Sequence, residues 1–109
     1  MALLKKANIA APVLPKETVA VEELGGEVVV RGLLLSERLA LYAGANDEGR
    51  VFAQIPALLA QTVVDADGTA IYDAAAWEAF GAQHMDAALR LFGVAKRLSG
   101  LDAEAAAKN

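Results

Sequence analysis

The chain has 109 residues, 56% of them hydrophobic and 22% charged, with a formal net charge of -4 and no cysteine. That length suits one domain, whose folding buries roughly two-thirds of the surface that the unfolded chain exposes. Without cysteine there are no disulfides, thiolate metal sites or Cys nucleophiles, a single histidine excludes multi-His metal sites, and the acidic balance without a basic cluster offers nucleic acid no electrostatic footprint.

Residues 1–16 read as a flexible N-terminal arm. The apolar stretch Ala7 to Leu14 follows Lys5 and Lys6 as a signal core would, but it is short and broken by Asn8 and Pro12. No membrane partner is expected, because the longest uncharged run, Val51 to Val64, falls short of the about 20 apolar residues of a spanning helix. Regular structure is expected after Pro12 and Pro15, since proline cannot donate to a ladder and restricts its predecessor. Thr18–Glu23 and Glu27–Arg31, rich in β-branched residues, flank Leu24-Gly25-Gly26 and predict a β-hairpin. Alternation puts Val19 with Val21, and Val28 with Val30, on the inner face and leaves Glu22 and Arg31 to solvent.

Ser36 reads as an N-cap with Glu37 in the first turn, opening a short helix to about Ala43. Gly44 to Gly49 concentrates turn formers and predicts a solvent loop. Phe52, Ile55, Leu58, Leu59 and Thr62 recur at helical spacing, so a helix runs from Val51 to Thr62 or, with Pro56 in its first turn, begins near Ile55. Asp65-Ala66-Asp67-Gly68 is a turn, Thr69–Tyr72 an extended stretch, and Asp73 the cap of a helix through Trp77 to Phe80 that Gly81 can end. The last helix spans His84 to Leu98. One stripe carries Met85, Ala88, Leu89, Phe92 and Ala95, its neighbour Leu91, Val94 and Leu98, and Ser99-Gly100 ends it. This order predicts an α+β, mostly α domain over 17–101, an N-terminal β-hairpin packed on about four helices, with a flexible tail at 102–109.

No catalytic, cofactor or metal site is expected. Asp65 to Gly68 opens like a calcium loop, but Thr69 stands where an oxygen ligand is due and Ala76 where a bidentate Glu is needed. His84 lacks a neighbouring nucleophile motif or carboxylate orienter. Gly25, Gly26 and Gly32 sit in a hairpin without the Lys-Ser or Lys-Thr of a phosphate cradle, and the adjacent Glu22 and Glu23 point to opposite faces of a strand. Trp77 and Phe80 read as core or protein-contact anchors. The wide apolar arc of the last helix is the feature left over. Leu89, Leu91, Phe92, Val94 and Leu98 are the partner-binding candidates; Leu89 and Phe92 read mainly as core, and Leu91 and Val94, on the flank, as the better interface pair.

Glu17 to Leu35, reading Val-Ala-Val-Glu-Glu-Leu-Gly-Gly-Glu-Val-Val-Val-Arg-Gly-Leu from Val19 and followed by Ser36-Glu37-Arg38, resembles the opening of the tail assembly chaperones of long-tailed bacteriophages. The second half is similar too: a helix, an Asp-x-Asp-Gly turn, Tyr72, an Asp-capped helix and a last amphipathic helix, so the resemblance spans Glu17 to Leu101. It implies a non-enzymatic chaperone of the host bacterial cytoplasm, absent from the mature virion, that binds and solubilises the tape measure protein during tail morphogenesis. It also implies a longer form, made by ribosomal frameshifting, that recruits tail tube protein. Lys108-Asn109 can be encoded within a slippery A AAA AAC heptamer, which agrees with that expectation. Two other readings stand beside it. One is a small bacterial adaptor or regulatory domain that dimerises through its last helix; the other is a small hydrolase or isomerase subunit using His84.

Overall fold

Pro15 marks the edge of the sheet. Its carbonyl accepts the Gly32 amide at 2.9 Å, and strand β1, Lys16–Val21, follows directly. The computed structural model describes residues 3–44 and 53–100. β1 pairs antiparallel with β2, Gly26–Arg31, in a register from Lys16↔Arg31 to Val21↔Gly26. Glu22 and Glu23 leave the strand expected for them and form a 3-10 turn with Leu24, because Gly25, at φ 87°, closes the reversal through its amide to the Glu22 carbonyl. The valine alternation is as expected: Val21, Val28 and Val30 are buried and Val19 packs against them.

Arg31 departs from its expected solvent position. Its guanidinium grips Glu37 with both nitrogens, at 3.0 and 3.1 Å, and also donates to the Gly32 carbonyl. Helix α1, Leu35–Gly44, therefore starts earlier than Ser36 capping predicts. The closing group is Glu37, whose Oε1 accepts the Leu34 amide at 2.8 Å while the Leu34 carbonyl receives the amide of Arg38. This is the reaching-back half of a capping box, in which a Glu in the first turn satisfies the amide of the residue before the helix. Gly44, assigned to a loop by the sequence, is the last residue of this helix. The rest of that loop, from Ala45, lies outside the described residues, as do Val51, Phe52, Leu101 and the tail 102–109.

Helix α2, Ile55–Thr62, takes the shorter of the two expected forms, with Pro56 in its first turn where no amide is missed. Buried Thr62 returns its hydroxyl to the Leu58 carbonyl. Val63 and Val64 then form β3, unforeseen by the helical pattern, pairing antiparallel with β2 to give a three-stranded sheet in the order β1-β2-β3. At the turn that follows, Asp65 Oδ1 accepts the amides of Asp67 and Thr69, and the chain doubles back to bridge Ala70 to Val64.

Helix α3, Ala74–Gln83, begins where expected, with the Asp73 carboxylate accepting the Ala76 amide at 2.8 Å. It does not stop at Gly81. That glycine lies inside the helix where α3 meets α4, and a Cβ built on it would stand 3.7 Å from the Cβ of Ala88. His84, at φ -133° and ψ 61°, makes the corner, and helix α4, Met85–Leu98, follows. The result is an α+β, mostly α fold with four helices among the described residues. α4 touches β1, β2, α2 and α3, and Trp77, Leu58, Leu59, Leu91, Val21 and Val30 form the fully buried centre.

Candidate functional site

The five partner-binding candidates on α4 separate. Leu91 is fully buried and Phe92 nearly so; Val94 and Leu98 are half-buried against the core; Leu89 is 40% exposed. The expected roles of Leu89 and Leu91 are therefore exchanged. Small Ala87, Ala88 and Ala95 flank Leu91 and Phe92 on the buried arc, so sheet and helices close on Ala88, Phe92 and Ala95 of the first stripe together with Leu91 of the second, and leave Met85 and Leu89 outside. Phe92 keeps its expected core role, while Leu91 and Val94 do not form an exposed interface pair. Met85, one turn before Leu89, is 64% exposed and completes the surface that α4 presents.

These two side chains form one wall of an apolar groove of about 240 Å³ between the helices. Ile55 and Pro56, at the start of α2, line the facing side, and Gly81 and Ala88 stand where α3 and α4 approach each other. Pro56 thus has two consequences: it opens α2 without losing a hydrogen bond, and it adds an apolar ring to the groove. Glu78 is the one charged residue lining the groove among the described residues, and Asp86 follows Met85 in the first turn of α4.

Trp77 belongs to both core and groove. Its ring packs edge-on against Tyr72 and Phe80, at centroid distances of 5.0 and 5.2 Å, and its buried indole N–H has no hydrogen-bond partner among the described residues. An unsatisfied buried donor costs about 1 to 3 kcal/mol, which the surrounding aromatic packing must offset. The groove is smaller than a typical small-molecule pocket of roughly 300 to 1,000 Å³. Its dimensions and apolar walls suit two or three side chains of a docked segment.

The other chemically mixed surface is a larger concavity beside the sheet, lined by Lys16, Thr18, Arg31 and Asp65 among others. Arg31 is held there by Glu37, and Asp65 by the amides of its own turn. His84 packs its ring on Phe80 at 5.1 Å and serves as the corner between two helices. No set of three or more His, Cys, Asp or Glu side chains is placed to hold a metal among the described residues, and no described helix is long and apolar enough to cross a membrane.

The sequence placed Leu89 among the partner-binding candidates, though mainly as core, and left unforeseen that Met85, Ile55 and Pro56 line a groove with it. Met85 and Leu89 share a face at a spacing of four, which was a usable signal; that α2 would stand opposite them was not. Comparison with protein-family models, curated proteins and solved structures returns no match.

Proposed function

We propose that this protein is a phage tail assembly chaperone that binds and solubilises the tape measure protein through the groove between α2, α3 and α4. The observation that carries this reading is an apolar groove left open between the helices beside the exposed Met85 and Leu89. A tape measure protein is a long helical chain that exposes apolar positions until the tail tube closes around it. An amphipathic helix laid on the groove would place side chains at i, i+3 or i+4, and i+7 between its walls. Met85 suits such a site because its unbranched, polarisable side chain adapts to different apolar partners. The sequence resemblance over Glu17 to Leu101 supports the same assignment. Under this reading the protein acts in the host bacterial cytoplasm and is left out of the mature virion, and a frameshifted longer form brings tail tube protein to the client.

The test is co-expression with the tape measure protein of the same genome, followed by pull-down and mass measurement. A soluble complex with several chaperone copies per client is expected. Met85→Glu with Leu89→Glu should leave the circular dichroism spectrum unchanged and weaken client capture at least tenfold, because both side chains lie outside the core. Trp77 is the sole tryptophan and lines the groove, so its emission should shift on client binding in the parent protein and stay fixed in the double variant. A client that remains insoluble while this chain purifies alone would favour the adaptor reading.

A further inference from the structure

The arm that precedes the sheet carries a second set of uncovered apolar side chains. Leu3, Leu4, Ile9 and Val13 are 98, 75, 56 and 81% exposed, although the arm contains an ordered 3-10 turn at Lys6–Asn8. Burying such side chains is favourable wherever an apolar surface is available. Within one copy the arm leaves the groove open, since Met85 and Leu89 remain exposed as well.

Charge matches the two surfaces. The arm carries Lys5 and Lys6 and no acid, which leaves eight basic residues against fourteen acidic ones in the rest of the chain. The groove has Glu78 in its lining, and neither Lys nor Arg lines it among the described residues; Asp86 and Arg90, which follow Met85 and Leu89 along α4, stand outside the lining. The arm is rooted at the opposite end of α4. Pro15 and the Leu98 carbonyl both crowd Gly32, whereas the groove lies at the Met85 end of the helix, about 20 Å away at 1.5 Å per residue.

We propose that the N-terminal arm of one copy, Leu3 to Leu14, docks in the α2–α3–α4 groove of a second copy, its leucines between the apolar walls and Lys5 and Lys6 towards Glu78. The proposal rests on reading that groove as a docking site for apolar segments and adds its occupant before the client arrives. Reciprocal exchange closes a two-fold, isologous dimer, and one-way, head-to-tail exchange is heterologous and builds longer assemblies. Either form keeps the groove covered until the client displaces the arm, so client binding and self-association compete.

The experiment uses two full-length variants, Leu4→Glu with Ile9→Glu in the arm and Met85→Glu with Leu89→Glu in the groove. All four side chains are exposed, so both variants should keep the parent circular dichroism spectrum. In sedimentation across a concentration series the parent should self-associate, more weakly at high salt, and each variant alone should associate at least tenfold more weakly. Mixed, they should form a one-to-one complex, because one supplies an intact groove and the other an intact arm. A parent that stays monomeric, as an arm folded into its own groove would require, overturns the proposal. So does self-association that survives the arm substitutions, or a mixture that fails to associate. Client pull-down separates this outcome from the underlying reading: the arm variant should still capture tape measure protein, and undiminished capture by the groove variant would overturn the groove as the docking site.

Discussion

Gly32 is buried where the arm root, the hairpin and the end of α4 meet. A Cβ there would stand 2.8 Å from the Leu98 carbonyl oxygen and 3.0 Å from Pro15 Cγ, and neither backbone oxygen nor proline ring can yield cheaply. Gly32→Ala should therefore destabilise the protein by about 1 to 3 kcal/mol, read as a lower urea midpoint with unchanged slope. One residue further, the Leu33 amide donates to the buried Ser99 hydroxyl at 3.1 Å, a second tie across the same joint. Glu37 is the other residue with a disproportionate role. The hydrogen bond from Arg31 holds its carboxyl below the ordinary value of 4.5; partial burial opposes this, and the Leu34 amide and the Arg31 charge add to it. A lowered folded pKa contributes stability that is complete above the ordinary value and is lost as the pH falls through the lowered one. Glu37→Gln should cost about 1 kcal/mol near pH 7, and the gap from the parent protein in urea unfolding should narrow steadily as the pH drops below 4.5.

The elements show how far local rules reach before packing takes over. The valine hairpin, the Asp65 turn, the Asp73 cap and the Met85–Leu98 helix follow from alternation, side-chain capping and helical spacing, all of which operate within a few residues. Gly81 and Ser36 show where such rules mislead. Gly81 serves a close helix approach inside α3, and Ser36 yields its expected role to a Glu37 already pinned by Arg31 from the neighbouring strand. On α4 the spacing establishes an apolar arc but leaves its rotation open across adjacent stripes. The consequence is a contrast between two leucines only two residues apart: Leu91→Ala should cost about 2 to 5 kcal/mol through cavity formation. Leu89→Ala should stay within roughly 1 kcal/mol, since less of its side chain is covered. Thermal unfolding of the two variants side by side checks this assignment.

At the scale of the molecule, the groove and the arm, two of the exposed apolar surfaces beside that of Leu34, Leu35 and Leu39 at the start of α1, arise from the same arrangement. α4 lies between sheet and helices and spends its central residues on the core, which leaves its first turns to wall a groove with the start of α2. The arm leaves the body beside the far end of α4 with its own apolar side chains uncovered. Two ion pairs, Arg97 to Glu17 at 2.6 Å and Arg90 to Glu23 at 3.8 Å, register α4 on the hairpin; both are largely exposed and direct the packing more than they strengthen it. The amino-acid order by itself determined the fold class, the hairpin with its inward valines, the Asp73 cap and the turn at Asp65, because each depends on groups close along the chain. Tertiary structure alone decided that β3 would join the sheet, that Leu91 would be core and Leu89 surface, and that Ile55, Pro56, Met85 and Leu89 would share one groove. Those outcomes depend on which surfaces, distant in sequence, are brought together when the core closes.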